Sequence, residues 1–290
     1  MLTLFTAPKA FRGHAGMIQR NALKSWTLLR PRCEVLLLGD EEGSAEAANE
    51  LGATHLPEVG RNEYGTPLVS DLFRRAERAA AHDLLCYANA DILLMSDFAA
   101  AAAKVARLLR PFVMVGRRWD VEVQEALGFG EGWEERLRTL ARETGSLHSP
   151  FGIDYFVFRR GLWKDIPPFA VGRAAWDNWM LYEARRRGAR VIDATAAVLC
   201  VHQSHDYSHF PEGKRGAYHG PEAQWNRELA GGRERVFTVA DATHLLTPQG
   251  LHWAVNRRNL REHLQKLMVL HPWLRWPARL VPPAWRGYGR

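Results

Sequence analysis

The run from Asp83 to Met95, DLLCYANADILLM, is apolar except at its centre, where Asn89, Ala90 and Asp91 interrupt it. A carboxylate among buried aliphatic side chains is costly unless it is paired or holds a cation. One or two carboxylates suffice to hold Mg2+ or Mn2+ against phosphate oxygens, and the ion neutralises a diphosphate as it departs. Ligands of open α/β sheets bind beyond the carboxyl ends of the strands, which is where this triplet falls. An acid at a strand end also serves as an ordinary cap for the next helix.

Asp40 closes a second apolar run, EVLLLGD, and Thr6 and Ala7 close the first, near the N-terminus. In a doubly wound sheet these strand ends are neighbours at the nucleotide crevice. An acid there accepts hydrogen bonds from a base or ribose, and Lys9 and Arg12, just beyond, are candidates to approach phosphate.

Trp176-Asp177-Asn178-Trp179 opens a helical stretch. Asp177 is a candidate general base for an acceptor hydroxyl, and Trp176 and Trp179 offer flat apolar faces for sugar rings; a helix cap is the plainer role for the acid. A single displacement needs a carboxylate on the acceptor side and a metal-held diphosphate opposite. Asp177 and Asp91 supply these, so inversion is expected, with Asp154 in GIDYFVF as the other acid if configuration is retained. Finally, VHQSHDYSH places His202, His205, His209 and Asp206 within eight positions. A loop histidine can complete a cation site begun by an acid elsewhere while others contact phosphate; zinc held by the cluster alone is the rival.

The elements that must position these groups alternate. Strands are expected at 2–7, 34–40, 54–56, 83–95, 112–116, 155–158 and 190–201. Helices are expected at about 18–29, at 44–51 with Ser44 as cap, from 67 to near 82, and at 96–109, 133–143, 176–187 and 251–270. That rhythm predicts an α/β fold with a mostly parallel sheet flanked by helices. Residues 1–245 form the expected main domain, and 246–290 a C-terminal helix with a basic aromatic tail.

With 290 residues, 47% of them hydrophobic and 24% charged, the composition is that of a folded domain with a full core. Lys and Arg number 39 against 32 Asp and Glu, a net charge of +7 that favours anionic partners without choosing among them. No motif for reading nucleic acid accompanies the charge. Cys33, Cys86 and Cys200 are too scattered for a zinc ribbon or a disulfide framework, and the N-terminus carries no basic leader with a long apolar stretch. A cytoplasmic protein is expected, with possible attachment to the inner face of the membrane. That attachment would use the tail, where Trp273, Trp276, Trp285 and Tyr288 alternate with Arg275, Arg279, Arg286 and Arg290.

In their order, YANADILL, GIDYFVF, WDNW and VHQSHDYSH resemble GT-A glycosyltransferases, over about residues 1–245. The resemblance implies a nucleotide-diphospho-sugar fold using Mn2+ or Mg2+, a UDP- or GDP-linked sugar donor and a glycan or lipid-linked acceptor. It implies that the acidic triplet, usually Asp-x-Asp, binds metal and diphosphate. Asn89 replaces its first acid, which leaves Asp91 as the stronger ligand. The later acid matches Asp177. The metal-binding histidine best matches His202, with His205 second and otherwise on the acceptor side with Asp154, Trp176 and Trp179. A nicotinamide oxidoreductase lacks support because the first strand leads into APKAFRG and not Gly-x-Gly-x-x-Gly. A sugar nucleotidylyltransferase and a non-catalytic nucleotide- or glycan-binding protein remain the alternatives.

Overall fold

Apolar runs and amphipathic stretches become strands and helices in the computed structural model, which describes residues 1–205, 218–256 and 259–274. The first half runs β1 (Leu2–Thr6), α1 (Gly13–Leu28), β2 (Glu34–Leu38), α2 (Ser44–Leu51), β3 (Thr54–Leu56), α3 (Val69–Ala79), β4 (Leu84–Ala88), β5 (Ile92–Leu93) and α4 (Ser96–Leu108). The second runs β6 (Phe112–Val115), β7 (Arg118–Val121), α5 (Trp133–Thr144), β8 (Ser146–Leu147), β9 (Tyr155–Arg159), α6 (Trp176–Arg186), β10 (Arg190–Asp193) and β11 (Cys200–Gln203). It ends with α7 (Pro221–Ala230), β12 (His244–Thr247), β13 (Gly250–Trp253) and α8 (Leu260–Leu270).

Among the described residues nine strands form the main sheet, in the order β13-β12-β10-β6-β9-β4-β1-β2-β3. Pairing is parallel except where β9 runs against β4 and β6 and where β13 folds back on β12. The fold is therefore the expected α/β one, mostly parallel and covered by helices. Successive strand residues point to opposite faces, so strands buried on both faces read as continuous apolar runs. Leu4, Leu37 and Cys86 meet Trp26, Ala47 and Phe98 on one face. Phe5, Leu36 and Tyr87 meet Leu72, Phe73 and Trp176 on the other.

A second sheet of four strands, β5-β11-β7-β8, stands apart from the first and packs on α5 through Leu93, Val121, Leu137, Ala141 and Val201. Its registers matter most for the site. His202 is the strand partner of Asp120 in the parallel pair β11/β7 and of Ile92, the residue after Asp91, in the antiparallel pair β11/β5.

Three expectations about elements need correction. The strand expected over 190–201 is two strands in different sheets, because Asp193 Oδ1 accepts hydrogen bonds from the Thr195 amide, 2.8 Å away, and the Thr195 hydroxyl, turning the chain out of the main sheet. The helix expected over 251–270 begins only at Leu260; before it β12 and β13 make a hairpin, with Gly250 in a left-handed conformation (φ 146°) that a helix cannot use. Ser44 does not cap α2: Gly43 holds the cap position and the buried Ser44 hydroxyl has no hydrogen-bond partner.

Candidate active site

Asp91 lies between β4 and β5, beyond the carboxyl end of β4. One of its oxygens, Oδ2, is 3.2 Å from His205 Nε2 and 3.8 Å from His202 Nε2. The other, Oδ1, is buried and has no hydrogen-bond partner. Among the described residues Asp91, His202 and His205 can each bring one ligand atom to within 4.8 Å of the others. Burial alone would push the Asp91 carboxyl up, but His202, His205 and Lys9 around it outweigh burial and hold it well below the usual carboxylate range. A carboxylate with one oxygen facing two imidazoles and the other without a partner is a donor set that fits a divalent cation.

β11 delivers His202 because its neighbours are fixed. Gln203 is fully buried and its amide reaches the carbonyls of Ile18 (2.7 Å) and Asp91 (3.1 Å), while Asn21 of α1 donates to its oxygen at 3.0 Å. On the far side of His202, its Nδ1 stands 3.0 Å from Asp120 Oδ1, near enough for a hydrogen bond but not aligned for one. Asp120 also receives Arg118 Nε at 2.8 Å and His148 Nδ1 at 2.6 Å. Against the opposing effect of burial, these donors hold its carboxyl far below the ordinary range.

Arg118 connects this cluster to the acceptor-side acids. Its Nη1 donates to Asp154 Oδ1 at 2.5 Å, and Asn89 Nδ2 donates to the same oxygen at 2.8 Å. Asn89 Oδ1 accepts from the Tyr87 hydroxyl at 3.0 Å, so its amide is engaged at both ends within this network. The β4/β9 register produces this, since Ala88 pairs with Tyr155 and the next residues, Asn89 and Asp154, meet just beyond.

Asp177 sits in the first turn of α6, behind Ala175, which holds the cap position in a left-handed conformation (φ 83°). Such a conformation is costly for a residue with a Cβ, and Ala175 adopts it two residues before the candidate base. Asp177 is thus not the helix cap. Burial, with a further contribution from the Asp154 charge, pushes its carboxyl up to about 7, although the amides of Asn178, Asp177 itself and Ile153 pull the other way. Tyr87 lies close enough to Asp91, Asp154 and Asp177 that all three charges, after burial, oppose ionisation of its phenol.

The remaining expected residues are placed otherwise. Trp176 and Trp179 are only 5% and 6% exposed, packed on Tyr87 and Phe156 and on Phe169 respectively, so their faces are filled by core rings and not offered outward. Thr6 is fully buried at the end of β1, its hydroxyl without a partner. The Lys9 backbone is clamped by Gln19 at 2.6 Å and 3.0 Å, and the Lys9 charge acts on Asp91. Arg12 forms a surface ion pair with Glu42. Asp40 is mostly exposed and paired with Arg61 at 2.5 Å, whose guanidinium lowers its carboxyl, so this acid faces an arginine and solvent. His209 and Asp206 lie outside the described residues, as does the tail beyond Leu274.

Sequence reasoning missed Asp120, Arg118 and His148. The signal was present: Arg117, Arg118 and Asp120 follow the buried strand β6 directly, but only the pairing of β7 with β11 brings them to His202.

Comparison with models of protein families and with curated proteins finds no match. Solved structures do match. The mannosyltransferase PcManGT of Pyrobaculum calidifontis, in complex with GDP-Man and Mn2+, is 18% identical over 74% of this chain and 58% of its own, with a TM-score of 0.45. TarS 1-349 of S. aureus is 13% identical over 70% and 60%, with a TM-score of 0.48. Glucosyl-3-phosphoglycerate synthase of Mycobacterium tuberculosis, in complex with Mg2+ and UDP, is 15% identical over 80% of both chains, with a TM-score of 0.47. The chain thus spans about three fifths of the first two. The likeness is one of fold alone.

Proposed function

We propose that the chain is a glycosyltransferase that moves a sugar from a nucleoside diphosphate to an acceptor hydroxyl, with inversion and with Asp177 as base. The observation that carries this reading is the convergence of Asp91, His202 and His205, one donor atom each within 4.8 Å, beyond the carboxyl end of β4. Residues that fit a cation there are Asp91 and His202, with His205 as a third donor. A divalent ion so held supplies charge neutralisation for the departing diphosphate. Two imidazole nitrogens beside one carboxylate suit Mn2+ better than Mg2+, which prefers an all-oxygen shell.

The chain's own residues do the rest. Lys9 adds positive charge close to Asp91. Asp177, pushed up to about 7, is matched to taking a proton from a hydroxyl near neutral pH. Asp154, pinned by Arg118 and Asn89, is better placed to fix the polar frame than to attack a sugar, which favours single displacement. The acceptor is proposed to be a glycan or lipid-linked sugar at the cytoplasmic face of a membrane. Among the described residues no helix is long and apolar enough to cross one.

The test is release of nucleoside diphosphate from a panel of UDP- and GDP-sugars, with Mn2+ or after chelation. Metal-stimulated turnover of one donor supports a transferase. Tight donor binding without turnover, with acceptors present, supports a binding protein instead.

A further inference from the structure

The candidate ligand His202 has two ring nitrogens, and only one can face a cation. Its Nε2 points towards Asp91 Oδ2, 3.8 Å away, while its Nδ1 stands 3.0 Å from Asp120 Oδ1. A carboxylate can only accept, so a proton between Nδ1 and Asp120 belongs to the ring and leaves the Nε2 lone pair on the Asp91 side. The backbone enforces the pairing: Asp120 and His202 are register partners in adjacent parallel strands, which places their side chains on the same face of the small sheet. Asp120 is itself held at both oxygens, by Arg118 at Oδ1 and His148 at Oδ2. It is not one of the three groups that converge on the candidate cation position.

We infer that Asp120 is the positioning residue for His202, selecting the tautomer and ring orientation in which Nε2 binds the cation. This rests on the metal-site reading above. Carboxylates behind ligating histidines typically alter metal affinity 10- to 100-fold, roughly the effect expected here.

The test measures Mn2+ affinity from the free-ion signal in electron paramagnetic resonance, on the full chain without nucleotide. Asp120→Ala should bind Mn2+ about 10- to 100-fold more weakly than the wild type. His148→Ala, which leaves the Asp120–His202 pair in place, should stay within about threefold. The second readout is long-range 1H–15N NMR of the metal-free wild type at pH 8, where His202 should carry its proton on Nδ1. Because this uses the wild type, it decides the matter even if Asp120→Ala fails to fold. Undiminished affinity in a folded Asp120→Ala protein overturns the inference, as does an equal loss in His148→Ala or a proton on His202 Nε2. Failure of the wild type to bind Mn2+ at all removes the metal site itself, and the inference with it.

Discussion

Asn89 donates its side-chain amide to Asp154 Oδ1 at 2.8 Å while Arg118 donates to the same oxygen at 2.5 Å. An asparagine at position 89 therefore has a physical reason: a carboxylate there would face the nearly buried carboxylate of Asp154. The amide supplies the donor that Asp154 requires, and Asp91 is left as the acid that faces the histidines.

Asn89→Asp should accordingly destabilise the protein by about 2–4 kcal/mol near neutral pH, because it removes a half-buried donor from the nearly buried Asp154 and adds a like charge. Thermal unfolding checks this. An unchanged Tm together with tighter Mn2+ binding would mean that the position is a ligand after all.

Asp177 gives a pH prediction with a definite sign. Its carboxyl is pushed up to about 7 by burial, so the base form, and with it turnover, should rise as pH passes through about 7. Stability moves the other way: between about 4 and about 7 the folded state holds a proton that the unfolded chain has lost, so this group's contribution falls as pH rises through that window. Asp177→Asn should lower turnover about a hundredfold with nucleotide affinity nearly unchanged, and should flatten the pH profile. A profile identical to the wild type would dismiss Asp177 as the base.

Trp176 and Trp179 should behave as core residues. Trp176→Ala should cost about 3–5 kcal/mol of stability, as large-to-small changes among packed rings do. Denaturant unfolding measures it; a fully stable variant with weakened sugar binding would restore the stacking role expected from the sequence.

Much of the frame was legible from residue pattern alone. The strand–helix alternation, the interrupted run around Asp91 and the helix opening at Trp176 follow from periodicity and from polar residues in apolar surroundings. What was not legible depends on pairing between distant segments. Asp120 becomes the neighbour of His202 only through the β7/β11 register, and the Trp176 and Trp179 faces are closed by Tyr87, Phe156 and Phe169 from other elements. Asp40 reads as a crevice acid until Arg61, 21 positions away, is seen to pair with it.

The C-terminal region offers a surface prediction. Trp253 and Trp273 are 72% and 71% exposed, and Leu260 and Leu264 of α8 about half. Vesicles containing anionic lipid should therefore retain the full chain in flotation, and less of it once residues 271–290 are removed. Equal recovery of both forms would remove the membrane role of the tail.

The central claim, a cation site built on Asp91, His202 and His205 that serves a nucleoside diphosphate, is tested most directly by thermal shift with UDP and with GDP, each with and without Mn2+. The account predicts that one nucleotide stabilises the wild type strongly only with Mn2+, by about 2.7 kcal/mol at a hundred times its Kd, and that Asp91→Ala, still folded, loses this response. Equal stabilisation with and without Mn2+, or a full metal-dependent response in Asp91→Ala, would contradict it.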